Sequence, residues 1–152
     1  MSTQSPNRLQ LDAFLPYRLS ITSNLVSEVI ATAYESMFGL KIPEWRLVAV
    51  IAEAGPISQQ AICRRTRMDK VTVSRAAIAL VDRGLVARAA NPGDARSHLL
   101  SLTAAGEALY AEVVPKALDY ETRIFAAFDQ RELAQLNEML ARIDAAAQAI
   151  DA

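Results

Sequence analysis

The sequence predicts a mainly α fold, with one two-stranded β-hairpin set between a group of short helices and two long ones. Three observations carry that expectation. Apolar residues recur at the three-and-four spacing of amphipathic helices through most of the chain. Pro16, Gly39, Pro43, Gly55 and Gly84 punctuate this pattern where helices should start and stop. From Leu85 to Leu102 the helical period gives way to short β-compatible runs around the turn signal Asn91-Pro92-Gly93-Asp94.

The elements follow in order. Pro16 suits the first turn of a helix, where its missing N–H costs nothing. Leu25, Val26, Val29, Ile30, Ala33 and Met37 then form its apolar face, and Gly39 supplies the stop. Pro43 opens a second helix around Trp45, Leu47, Val48 and Ile51, closed by Gly55. Ser58 can cap a short third helix to about Thr66, and Asp69 a fourth that ends at Arg83 before Gly84. Leu85–Arg88 and Ser97–Leu102 read as the two strands of the hairpin. Thr103 caps a long fifth helix through Phe128, in which Pro115 should produce a kink or a junction. Asp129 with Glu132 forms an aspartate version of the capping box and opens a sixth helix to about Ile150.

Composition narrows the function classes. Apolar residues make up 52% of 152, enough for a core and a partner surface besides. No apolar run reaches the roughly 18 residues of a membrane span, and the polar Met1–Asn7 does not read as a signal peptide, so a cytoplasmic protein is expected. One cysteine and one histidine are too few for a disulfide framework or a transition-metal centre within one chain, and no cofactor is expected. Residues 58–103 hold eight bases against three acids, or +5. The rest of a chain with net charge −1 must therefore carry −6. A basic centre flanked by acidic arms suits a phosphate-binding module on a neutral-to-acidic scaffold.

Two short helices three or four residues apart, the second followed by a hairpin, is the winged helix-turn-helix order. On the fourth helix, Val73, Ala76, Ala77 and Leu80 make one stripe to be buried. That leaves Lys70, Val71, Thr72, Ser74 and Arg75 facing out in its first two turns. These are side chains a major groove can use. Lysine or arginine reaches guanine O6 and N7, hydroxyls donate or accept, and valine can touch a thymine methyl.

The run from Asp69 to Val86, DKVTVSRAAIALVDRGLV, resembles the recognition helix of the MarR family (multiple antibiotic resistance regulators). GDARSHLLSLTAAG from Gly93 to Gly106 resembles the same family's wing and the start of its next helix. PEWRLVAVI from Pro43 resembles its second helix. The resemblance covers about Leu11 to Ile150. It implies a flexible tail over residues 1–10 and a single winged-helix domain over 11–152. Within that domain, 43–103 would form the DNA-binding head, and 11–40 with 104–152 the dimerisation helices. It further implies a homodimer on a pseudo-palindromic double-stranded DNA operator, with Val113, Val114, Leu118, Leu133, Leu136, Leu140 and Ile143 supplying the dimer surface. Asp94 and Arg96 match the wing pair in which a carboxylate orients a guanidinium toward DNA. The wing tip departs from the family, because Ala89, Ala90, Asn91, Pro92 and Ala95 are uncharged. Arg88 is then expected to carry more of the backbone contact.

Family members commonly sense a small aromatic or phenolic compound beside the DNA-binding head. The candidates here are Tyr17, Arg18, Tyr34, Phe38, Trp45 and Arg46, although each aromatic also reads as core. Cys63 reads as a core cysteine, since the family's peroxide sensors carry theirs near the start of the first helix. The expected function is a sequence-specific DNA-binding transcription regulator, most often a repressor, released by a small aromatic, phenolic or anionic effector. The alternative is a winged-helix scaffold without DNA reading. An enzyme is not expected, because Asp94, Ser97 and His98 share a hairpin that offers nothing to hold a catalytic triad.

Overall fold

The computed structural model describes residues 8–150, so seven of the ten residues of the expected N-terminal tail lie outside the described residues. After a single 3-10 turn, Leu11–Ala13, the order is α1 (Leu15–Phe38), α2 (Ile42–Ala54), β1 (Ile57–Ser58), α3 (Gln59–Thr66) and α4 (Lys70–Asp82). β2 (Val86–Ala90), β3 (His98–Leu102), α5 (Ala104–Ile124) and α6 (Gln130–Ile150) complete it. The fold is the expected mainly α winged helix-turn-helix. The described residues fall into two compact units, the first ending at Ala117 and the second beginning at Leu118.

In the first unit the core is built from Leu47, Val48 and Ile51 of α2, Ile62 of α3, Val73, Ala77 and Leu80 of α4, and Leu100 of β3, all almost fully buried. The helix-turn-helix is fixed at both caps. The Ser58 hydroxyl accepts the Ala61 N–H at 3.2 Å, and the Asp69 carboxylate accepts the Thr72 N–H at 2.8 Å. Between them α3 stops on Arg67, which adopts the left-handed conformation at φ 60° without being glycine.

The sheet has one strand more than the sequence predicted. β1 pairs antiparallel with β3, Ile57 opposite Leu100, giving the order β1-β3-β2. Two residues are too few to show a period-two pattern, so β1 left no signal of its own. The hairpin itself stands as expected, with Arg88 opposite Leu100 and Ala90 opposite His98.

Thr103 joins the end of α4 to the start of α5. Its N–H donates to the Leu85 carbonyl at 3.1 Å and its hydroxyl to the Gly84 carbonyl at 2.6 Å. The same oxygen accepts the Gly106 N–H at 3.1 Å. α5 continues as helix past Pro115, and the division between the units falls two residues later. Val113, expected on a dimer surface, is instead fully buried within this chain.

In the second unit the Asp129–Glu132 capping box is present in both directions. The Asp129 N–H donates to Glu132 Oε1 at 3.1 Å, and the Glu132 N–H to Asp129 Oδ1 at 2.8 Å. α6 has no buried residue. Leu133 and Leu136 are half-buried, whereas Met139, Leu140 and Ile143 are exposed.

Candidate nucleic-acid interface

The four residues placed on the inner stripe of α4, Val73, Ala76, Ala77 and Leu80, are all buried. The opposite face of its first two turns carries the candidate reading residues. Lys70 and Arg75 are exposed, Ser74 is half-buried, and Val71 holds 58% of its surface in solvent. Val71 therefore presents apolar surface to solvent in the first turn of α4, as Ile78 does two turns later at 49%. Thr72 is tied more closely than expected. It is half-buried, and its hydroxyl donates to Asp69 Oδ2 at 2.9 Å, so only its oxygen lone pairs remain for another partner. The backbone and then the side-chain hydrogen bond from Thr72 hold the Asp69 carboxyl below its ordinary pKa.

The wing tip is a set of nested turns. The Asn91 amide donates to Ser97 Oγ at 2.9 Å while its oxygen accepts the Gly93 N–H at 3.0 Å. The Asp94 carboxylate accepts the backbone N–H of Arg96 at 2.9 Å. It holds the backbone beneath Arg96, and among the described residues no ion pair joins the two side chains. A short carboxylate two residues ahead of an amide closes such a turn readily, and it is then committed.

Arg88 of β2 and Arg96 of the tip line one concavity of about 220 Å³ together with Gln59, Gln60, Ser97 and His98. The fold thus brings the two wing bases together, beside the first residues of α3. The glutamines and the histidine gave no signal in the sequence, because strand pairing through β1 and β3 is what sets α3 next to the wing.

Not every base in the basic centre is free. Arg65 pairs with Glu53 of α2 at 2.8 Å. Arg83 donates from Nη1 to the Gly39 carbonyl and from Nη2 to the Phe38 carbonyl, each at 3.1 Å. Among the described residues Lys70, Arg75, Arg88 and Arg96 enter no ion pair.

Of the residues offered for an effector, the structure brings two together and adds one. Tyr34 meets Trp45 edge-on at 5.6 Å, and Trp45 stacks on Tyr110 at 6.0 Å, so an aromatic cluster joins α1, α2 and α5 within the first unit. Tyr34 is buried, which raises its phenol pKa. Tyr17 and Phe38 are half-buried, and Arg18 and Arg46 are exposed. Tyr110 was missed because a tyrosine inside a long helix carries no pairing signal. Cys63 is a half-buried free thiol. Among the described residues no group of three His, Cys, Asp or Glu could hold a metal ion, and no helix is long and apolar enough to cross a membrane.

Residues 38–97, which contain α2, the helix-turn-helix and the hairpin up to Ser97, match the MarR family model. The chain is similar to a MarR/EmrR family transcriptional regulator from Acinetobacter sp. ADP1, at 25% identity, TM-score 0.86, and coverage of 93% of this chain and 99% of the other. It is also similar to a MarR family transcriptional regulator from Silicibacter pomeroyi DSS, at 29% identity, TM-score 0.77 and 93% coverage of each chain. A third similar structure is BpsR of Bordetella bronchiseptica, solved to describe regulation of its DNA binding by 6-hydroxynicotinic acid. It shares 21% identity at TM-score 0.71, over 84% of this chain and 98% of that one, a likeness of fold. No curated protein matches the sequence significantly.

Proposed function

We propose that the chain is a MarR-family transcriptional regulator, as the match over residues 38–97 supports, and that it acts as a homodimeric repressor on a pseudo-palindromic operator, released by a small aromatic acid or phenol. The observation that carries the DNA reading is the outer face of α4. Lys70, Val71 and Arg75 stand exposed away from a buried stripe, and among the described residues neither base enters an ion pair. In this reading α4 enters the major groove, Lys70, Val71, Thr72, Ser74 and Arg75 meet base edges or adjacent phosphates, and Arg88 and Arg96 hold the backbone beside it. Residues 43–103 would serve as the head, and 11–40 with 104–152 as the arms that join two copies.

The apolar stripe on α6 formed by half-buried Leu136 and exposed Met139, Leu140 and Ile143 supports the second copy, since these side chains would leave water on association. Two heads joined in this way would meet successive major grooves about 34 Å apart. The aromatic cluster of Tyr34, Trp45 and Tyr110 supports an aromatic effector, with Tyr17, Phe38, Arg18 and Arg46 as further candidate contacts. The Bordetella relative, whose DNA binding responds to a heteroaromatic acid, supports the same class.

The test is binding to a labelled duplex from the DNA upstream of the chain's own coding sequence, titrated with aromatic acids. Saturable binding by a dimer, with release by one of the acids, is the expected result. Sedimentation as a persistent monomer, or equal affinity for every duplex, would contradict it.

A further inference from the structure

We infer that Arg83 is a positioning residue that fixes the recognition helix against the end of α1, and that it is not a DNA contact. The inference rests on the DNA reading of α4 proposed above. Arg83 belongs by sequence to the basic centre, and its charge alone would assign it to phosphate. Its geometry assigns it elsewhere. It caps the C-terminal end of α4, and its two terminal nitrogens donate to two successive carbonyls, Gly39 and Phe38, more than forty residues away in the chain. Those carbonyls close α1, where the last backbone acceptors have no helical partner and the negative end of the helix dipole lies.

A guanidinium on two acceptors sets both distance and rotation, because its planar fork has one orientation that satisfies both. Among the described residues no other side-chain hydrogen bond joins α1 to α4. The joint also has leverage. α4 has 13 residues, so it is about 20 Å long. A tilt of about 5° at the Arg83 end would move the Lys70 end by almost 2 Å, whereas productive polar contacts tolerate about 0.5 Å. α1 also carries Tyr34 and Phe38, so any shift of its C-terminal end reaches the recognition helix through this fork.

The experiment uses the tightest duplex that the wild-type protein selects from a random-sequence pool. Dissociation constants are measured for wild type, Arg83→Gln, Arg83→Lys and Arg96→Ala over a series of salt concentrations. Active protein is counted by stoichiometric titration, so that a misfolded fraction alters capacity and not affinity. Arg83→Gln is expected to weaken binding roughly tenfold, with the log–log salt slope of the wild type, because no phosphate contact is lost. Arg83→Lys, which keeps the charge but not the fork, should also bind more weakly than wild type, and it stands in should Arg83→Gln fail to fold. Arg96→Ala supplies the contrast, with a slope lower by about one unit per half-site.

A slope for Arg83→Gln reduced as in Arg96→Ala would make Arg83 a phosphate contact and overturn the inference. So would affinity for both Arg83 variants within twofold of wild type. Absence of any saturable wild-type binding would instead overturn the DNA reading itself, and this inference with it.

Discussion

The Leu85 carbonyl occupies the place where a β-carbon on Gly106 would stand. Gly106 lies one turn into α5, is buried, and can be no other residue without moving the backbone that leads into the wing. Two effects of opposite sign meet here. On an open helix, alanine would be better than glycine by about 1 kcal/mol. Against a backbone carbonyl, which cannot swing aside, the added methyl should cost about 1–3 kcal/mol. The clash is expected to win, so Gly106→Ala should lower the urea midpoint. A raised midpoint would mean that the α5–wing junction is looser than described.

Asp69 caps α4 with both carboxylate oxygens engaged by Thr72, which lowers its pKa in the folded chain. The sign follows directly. A carboxyl depressed on folding stabilises the protein above its ordinary value of 3.8 and loses that contribution as pH falls through the lower folded value. Asn at this position keeps an acceptor for the Thr72 N–H but cannot ionise. The advantage of wild type over Asp69→Asn in melting temperature should therefore shrink as pH is taken from neutral to below the aspartate range. A difference independent of pH would show that the charge takes no part in the cap.

The two ends of α4 illustrate what the sequence could and could not convey. Asp69, the stripe from Val73 to Leu80 and the Asp129–Glu132 box were all legible, because each depends on residues within one or two turns of one another. What escaped was everything set by pairing at a distance. β1 is too short to have a pattern, and Gln59, Gln60 and His98 meet Arg88 and Arg96 only because β1 hydrogen-bonds β3. The same holds for Tyr110 against Trp45, and for Arg83, whose charge suggested DNA but whose fork is taken by α1. The backbone hydrogen bond between Asp94 and Arg96 is set at shorter range. Two residues apart, a carboxylate reaches the next amide before it reaches a long side chain.

Arg67 ends α3 in the left-handed conformation, where a β-carbon costs on the order of 1 kcal/mol. Glycine would remove that cost and add some entropy to the unfolded chain, so Arg67→Gly is expected to raise stability by about 0.5 kcal/mol. Arg67→Ala deletes the same side chain while keeping the β-carbon, and it should show no such gain. Equal effects of the two substitutions in chemical denaturation would place the cause in the arginine side chain and not in the backbone.

Arg75 and Lys70 differ from Arg65 and Arg83 in having no intramolecular ion pair or hydrogen-bond partner among the described residues. If Arg75 reads a base, Arg75→Ala should weaken binding to the preferred duplex by about 1–3 kcal/mol and relax selectivity at one position of each half-site. Lys70→Ala should act less selectively if its partner is phosphate. Competition between the preferred duplex and single-base variants measures both. Unchanged affinity and selectivity for Arg75→Ala would remove α4 from the major groove.

Asp94 offers the sharpest separation of two roles for the wing. If its carboxylate works by charge, steering the Arg96 guanidinium, then Asp94→Asn and Asp94→Ala should impair DNA binding alike. The geometry favours a different outcome. The acceptor for the Arg96 N–H is one oxygen, and an asparagine carbonyl can accept that bond equally well. Asp94→Asn should therefore keep the tip closed, and it also removes a negative charge close to the DNA backbone, so affinity should be equal to or above wild type. Asp94→Ala frees the backbone of Arg96 and should bind more weakly despite losing the same charge. Electrostatics alone predicts that both substitutions strengthen binding, and guanidinium steering predicts that both weaken it. Only a closed backbone turn predicts that Asp94→Ala weakens binding while Asp94→Asn does not, and anisotropy titrations of the two variants at one salt concentration suffice to tell the three apart.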